Sequence, residues 1–169
     1  GKSTSFGCVV GLVRPDAGEV HLGGASLTKL PLHQRARRGL GYLPQESSVF
    51  GRLTVRQNVL AVLELRADLD RTERARRADA LLEEFDLSSL ASSLGDPRSG
   101  GGRRRTEIAR CLAMEPEYVL LDEPFAGIDP LAVAELQKLI AGLAERKLGV
   151  LMTDHNVRET LGICQRAYI

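Results

Sequence analysis

The chain has 169 residues, 43% hydrophobic and 27% charged, with a net charge of +1. That length suits one domain with its own apolar core, and the near-neutral charge argues against nucleic acid or an anionic membrane surface as partner. No apolar run approaches the ~20 residues of a transmembrane helix, and Cys8, Cys111 and Cys164 lack the spacing of a disulfide framework or zinc site, as in a reduced, cytoplasmic setting.

The opening "GKST" runs into "SFGCVVGLV", where a short buried helix is expected over residues 5–13. "RPDAGEVHLGG" predicts a turn into a strand, and "LPLHQRARRGLGYLPQE" a basic helical turn before a short strand, "LGYLP". Apolar residues at Val55, Val59, Val62 and Leu63 predict a helix from Thr54 to Leu65, with Thr54 as its N-cap. Residues 66–86 read as a solvated amphipathic helix carrying Ala78, Leu81, Leu82 and Phe85 on one face. "SSLASSLGDPRSGGG" reads as a loop leading into the helix "RRRTEIARCLAM", with Ile108, Ala109 and Leu112 on its apolar face. "EYVLLDEP" and "LGVLMTDH" have the continuous apolar character of buried parallel strands. Between them a helix is expected from about Pro130 to Arg146, and a last one from Val157 to Cys164. Strands alternating with helices predict an α/β fold with an at least partly parallel sheet, holding a more helical stretch at about 52–112.

Five short stretches carry chemistry. In "GKST", Lys2 has the charge for β- and γ-phosphates and Ser3 the hydroxyl for Mg²⁺. A strand ending in Asp122-Glu123 puts two carboxylates at the carboxyl edge of a sheet, where open α/β folds bind ligands. Asp122 suits Mg²⁺, and Glu123 suits a general base for an attacking water. His155 ends the next strand, within reach of a γ-phosphate or that water. Gln45 ends the "YLP" strand, where its amide suits Mg²⁺ or the same water. Ser99, Gly100, Gly101 and Gly102 form a loop before a helix, a second anion site. One nucleotide does not need two such sites from one chain, so a second chain facing head to tail is expected.

Taken in order, GKST, YLPQ, SGG before an arginine-rich helix, YVLLDEP, AGIDP and TDH resemble the ATP-binding subunit of ABC transporters over nearly the whole chain. The resemblance implies a P-loop NTPase fold: an ABC-type nucleotide-binding domain whose helical subdomain, about 52–112, is inserted in a RecA-like core. It implies ATP and Mg²⁺ as ligands. Gly1, Lys2, Ser3 and Thr4 match the phosphate loop, Gln45 the Q-loop, and Asp122 and Glu123 the magnesium ligand and catalytic base. Ser99, Gly100 and Gly101 match the signature loop, Asp129 the D-loop at a dimer seam, and His155 the switch histidine. Ser3, Gln45 and Asp122 are the implied metal residues. Phe50 and the Thr54–Leu65 helix match the groove for a membrane subunit, although Phe50 also suits a core position.

"LPLHQRARRGLGYLPQESSVFGRLTV", "LLDEPFAGIDP" and "TDHNVRETL" narrow the likeness to members that drive lipopolysaccharide export. The implied protein is a homodimeric, peripheral ATPase on the cytoplasmic side of the bacterial inner membrane, bound to transmembrane permease subunits and not to nucleic acid. The second reading is a soluble ABC ATPase acting on ribosomes or DNA, and the third a non-catalytic fragment. Two departures stand out. The family's strands and glycine-rich segment before GKS, and its C-terminal tail, have no counterpart, so a piece of a longer product is expected. The signature loop reads Arg98-Ser99-Gly100-Gly101-Gly102 where the family typically has Leu-Ser-Gly-Gly-Glu.

Overall fold

The computed structural model describes residues 1–95 and 100–168. Helix α1 (Lys2–Val10) starts directly after Gly1 and ends at Gly11, whose φ of 88° supplies the left-handed C-cap. Strands β1 (His21–Leu22) and β2 (Ala25–Ser26) pair antiparallel, so the single strand expected in this region is a hairpin. Gly23 and Gly24, both at positive φ, form its two-residue turn. Helix α2 (Leu32–Arg37) leads into β3 (Leu40–Leu43).

Helix α3 (Val55–Leu63) opens with a capping box: Thr54 Oγ1 accepts from Gln57 N, and Gln57 returns a bond to Thr54 N. It stops two residues short of the expected Leu65. The next helix, α4 (Arg71–Glu84), starts only at Asp70, whose side chain accepts from Glu73 N, after a loop in which Arg66 and Asp68 pair. Helix α5 runs from Gly100 to Leu112. Gly100, Gly101 and Gly102 are thus its first turn and not a loop ahead of it. Strand β4 (Tyr118–Asp122), helix α6 (Pro130–Glu145), strand β5 (Gly149–Thr153) and helix α7 (Val157–Leu161) complete the chain. Helix α7 ends before the expected Cys164.

The central sheet is parallel, in the order β3-β4-β5. Alternation along β4 divides the core. Val119 and Leu121 face a large cluster built with α3, α4, α5 and α6, including Phe85, Ile108, Leu136 and Ile140. Leu120 faces a smaller one with Phe6 and Val10 of α1, Leu27 and Leu40. Strand β4 is buried from Val119 to Asp122. Strand β5, expected to be buried, is mostly half-buried and lies at one edge of the three described strands. The charged surface of α4 is solvated, as expected, with Glu73 bridging Arg76 and Arg77. No helix among the described residues is long and apolar enough to cross a membrane. The three cysteines are free, and desolvation pushes the Cys111 thiol up to about 12.

One buried side chain fastens α1. Arg35 of α2 donates to the carbonyls of Cys8 and Val9 at the end of α1, and to those of Thr28 and Leu30. Burial lowers its pKa, but four carbonyl dipoles hold the charge in place. Arg35→Met keeps the volume and leaves these acceptors without a donor. It is expected to lower stability by about 3 kcal/mol, read as a fall in the urea midpoint with unchanged slope.

Candidate functional site

The parallel register fixes what meets at the carboxyl edge of the sheet. Leu43 pairs with Leu121, and Asp122 pairs with Thr153. Gln45, Asp122, Glu123 and His155 therefore leave three adjacent strands at one level, where the start of α1 also arrives.

Asp122 is 3% exposed. Its Oδ1 accepts from Thr153 Oγ1 at 2.6 Å and from Ser3 Oγ at 3.4 Å. Lys2 Nζ donates to the carbonyl of Asp154 at 3.2 Å. Gly1 caps the first turn of α1 with its carbonyl, and Thr4 is exposed in that turn. The N–H groups of this turn have no intrahelical acceptor, which makes it an anion-binding end.

Glu123 has a φ of 46°, in the left-handed region that side chains avoid. Backbone bonds hold it there: Glu123 N donates to Thr153 O at 2.8 Å, and its own carbonyl accepts from Ala126 N and, at 3.5 Å, from Arg104. The kink turns the chain out of the sheet. The Glu123 carboxylate, its side chain 12% exposed, lies between two partners. Gln45 Nε2 donates to Oε2 at 2.8 Å, and His155 Nε2 is 2.7 Å from Oε1. Gln45 thus joins Glu123, while Ser3 and Asp122 pair with each other.

The remaining expected residues are placed as follows. Ser99 and Arg98 lie outside the described residues. Gly100 opens α5. Gly101 is buried, and a Cβ there would be 2.9 Å from Ala132 Cβ on α6, so the missing side chain lets the two helices approach. Gly102 is likewise buried, and its carbonyl accepts from Thr106 Oγ1. Asp129 is the N-cap of α6, accepting from Ala132 N at 3.0 Å. Phe50 is 49% exposed with Arg110 4.4 Å over its ring, so it is not a core residue.

Sequence reading missed the groups that hold this edge together. Arg104 and Glu107 of α5 form a buried pair at 2.9 Å. Arg104 also donates to the carbonyls of Pro44 and Asp122, while Glu107 accepts from Ser47 Oγ and Ser48 N. One helix turn thus ties the Gln45 loop to the end of β4. The legible signal was a charge pair at i, i+3 on the face that also carries Ile108. Asp154 was missed too: it accepts from Phe125 N and Asn156 N, joining the segments after β4 and β5. Burial, with Asp122 nearby, raises the pKa of the Tyr42 phenol on β3, and Arg104 opposes it.

The donor set suits a hard cation. Ser3 and Asp122 bring two oxygens together, the kind of donor that such a cation takes from a protein. Among the described residues no cluster of three His, Cys, Asp or Glu side chains offers an all-protein metal cage.

A parallel sheet that gathers a Lys-Ser helix start, an Asp-Glu strand end, a Gln and a His at one edge defines a nucleotide-binding α/β protein of the P-loop class. Residues 1–126 match the family model described as ABC transporter. The chain is 57% identical over all 169 residues to the lipopolysaccharide export system ATP-binding protein LptB of Haemophilus influenzae, spanning 70% of that protein. It is 54% and 59% identical, with the same coverage, to the proteins of that name from Escherichia coli and Acidithiobacillus ferridurans. Among solved structures, a dimeric post-hydrolysis ATP-binding cassette bound to ADP and Pi superposes with a TM-score of 0.82 at 28% identity, covering 94% of this chain and 72% of that one. A Clostridium perfringens cassette, part of an ABC transporter complex, gives 0.84 at 26% identity, covering 97% and 66%. The chain belongs to the ABC transporter family, among its ATP-binding cassettes.

Replacing Glu107 with alanine strands the buried Arg104 charge and frees Ser47 and Ser48. A loss of about 3–5 kcal/mol is expected in chemical denaturation. Glu107→Gln, which retains acceptors for the two serines, is expected to lose less.

Proposed function

We propose that the protein is the ATP-hydrolysing subunit of a transporter that extracts lipopolysaccharide from the bacterial inner membrane for export. The observation that carries the catalytic part is the Glu123 carboxylate, held by Gln45 and His155 beside the Ser3–Asp122 pair. The relatives named for lipopolysaccharide export, 54–59% identical along the whole chain, support the substrate.

In this reading residues 1–169 form one nucleotide-binding unit, with its helical part at about 52–112. ATP lies along the carboxyl edge of the sheet. The N–H groups of Gly1–Thr4 and the Lys2 ammonium bind its β- and γ-phosphates. Ser3 and Asp122 hold Mg²⁺, which when bound supplies charge stabilisation on the phosphate oxygens. Thr153 fixes the Asp122 carboxylate for that task. Glu123 orients the attacking water and accepts its proton, while Gln45 and His155 set the position of its two oxygens. His155 also faces the γ-phosphate.

A second copy completes the site head to tail, presenting Gly100 and Gly101 at the start of its α5 together with Ser99, the residue before them in sequence, and Asp129 at the seam. The dimeric cassette among the solved structures supports this arrangement. Closing of the dimer on two ATP molecules pulls on transmembrane permease subunits, which dock where Phe50 and α3 lie. The protein sits peripherally on the cytoplasmic face of the membrane.

Glu123→Gln tests the chemistry. ATP binding is expected to persist, hydrolysis to fall by at least about 10²-fold, and an ATP-dependent dimer to accumulate in size-exclusion chromatography. Undiminished turnover would overturn the role given to Glu123. For the substrate, the complex reconstituted with its membrane subunits is expected to release lipopolysaccharide from vesicles only with hydrolysable ATP.

A further inference from the structure

Asn58 lies in α3 and is fully buried. Asparagine is a mediocre helix former, and a buried amide must find partners for its oxygen and both N–H groups. Here nearly all of them belong to one turn. Asn58 Oδ1 accepts from Phe50 N at 2.8 Å. Its two Nδ2 hydrogens are shared among Phe50 O at 3.1 Å, Thr54 O at 3.0 Å and Leu53 O at 3.3 Å. The Phe50 N–H needs an acceptor, which fixes which end of the amide is oxygen.

Both backbone polar groups of Phe50 thus end on one side chain that leaves its ring alone. The ring stays half-exposed, with Arg110 over one face. Gly95 completes the arrangement: a Cβ there would lie 2.4 Å from Asn58 Nδ2 and 2.9 Å from Leu53 O. The amide fits only because residue 95 has no side chain. An exposed aromatic held rigid before binding loses little freedom on association, which is how an anchor residue gains affinity.

We infer that Asn58 is a positioning residue for the membrane-subunit contact, presetting Phe50 as a rigid anchor for an apolar segment of that partner. The inference rests on the reading of Phe50 as a partner contact. Asn58 lies outside the residues assigned to the nucleotide, and its effect on the partner contact runs through the Phe50 turn.

The test uses the intact protein and its transmembrane subunits in nanodiscs, with Phe50→Ala, Asn58→Ala, their combination, and Gly95→Ala. Each single substitution is expected to weaken association by about tenfold, the worth of one lost buried hydrogen bond or anchor. The double variant is expected to bind no more weakly than Phe50→Ala alone, and ATP affinity to stay within about twofold throughout. Gly95→Ala retains every hydrogen-bonding group, so it covers the case in which Asn58→Ala fails to fold. Unchanged association in Phe50→Ala would remove the partner contact itself. A weakened Phe50→Ala beside a wild-type-like Asn58→Ala or Gly95→Ala, losses that multiply in the double variant, or ATP affinity falling with Asn58→Ala would each overturn the positioning role.

Discussion

The pairing of Asp122 with Thr153 sets the geometry on which the rest of this molecule depends. A parallel ladder brings equivalent ends of strands to the same level, so each residue just past a strand end inherits a place along one edge. Thr153 then bonds the Asp122 carboxylate from the side, and the Thr153 carbonyl takes the Glu123 N–H one residue later. A slip of one residue would exchange the faces of β4, sending Leu120 into the large core and Val119 and Leu121 out of it. Core packing and site geometry are therefore specified by the same register.

Three buried polar side chains carry this order outward. Arg35 binds the end of α1 to the segment before α2. Arg104, paired with Glu107, binds β4 to the Gln45 loop. Asn58 binds the turn beyond that loop to α3. Each satisfies several backbone groups at once, in places where the chain is irregular and cannot satisfy them itself. Irregular segments around the site are thus anchored at single points, so their order relies on few residues.

How much of this was legible follows from the range of the forces involved. Helices and strands with clear periodicity were readable, because side-chain alternation and capping act within a few residues. Thr54 and Gln57 show this in the capping box, and "YVLLDEP" in β4. The convergence of Ser3, Asp122, Glu123, Gln45 and His155 was readable only because their motifs occur together in a familiar order. What escaped was set by tertiary contact. In "RARR" and "RRR", Arg35 and Arg104 read as surface charge but turn inward to carbonyls. The glycines of "SGGG" look like a loop, yet they form the first turn of α5, where Gly101 lies close to Ala132. The partner of Gln45 depended on where three strands end in space, which no local pattern encodes.

Under the role proposed for Glu123, its left-handed backbone sets fold and activity against each other. A non-glycine residue held there stores of the order of 1 kcal/mol, sustained by the bonds to Thr153 and Ala126. Glycine would relax that strain while deleting the carboxylate. Selection for robustness alone would thus drift toward an inert protein at this position. Efforts to harden the scaffold should therefore leave this residue untouched.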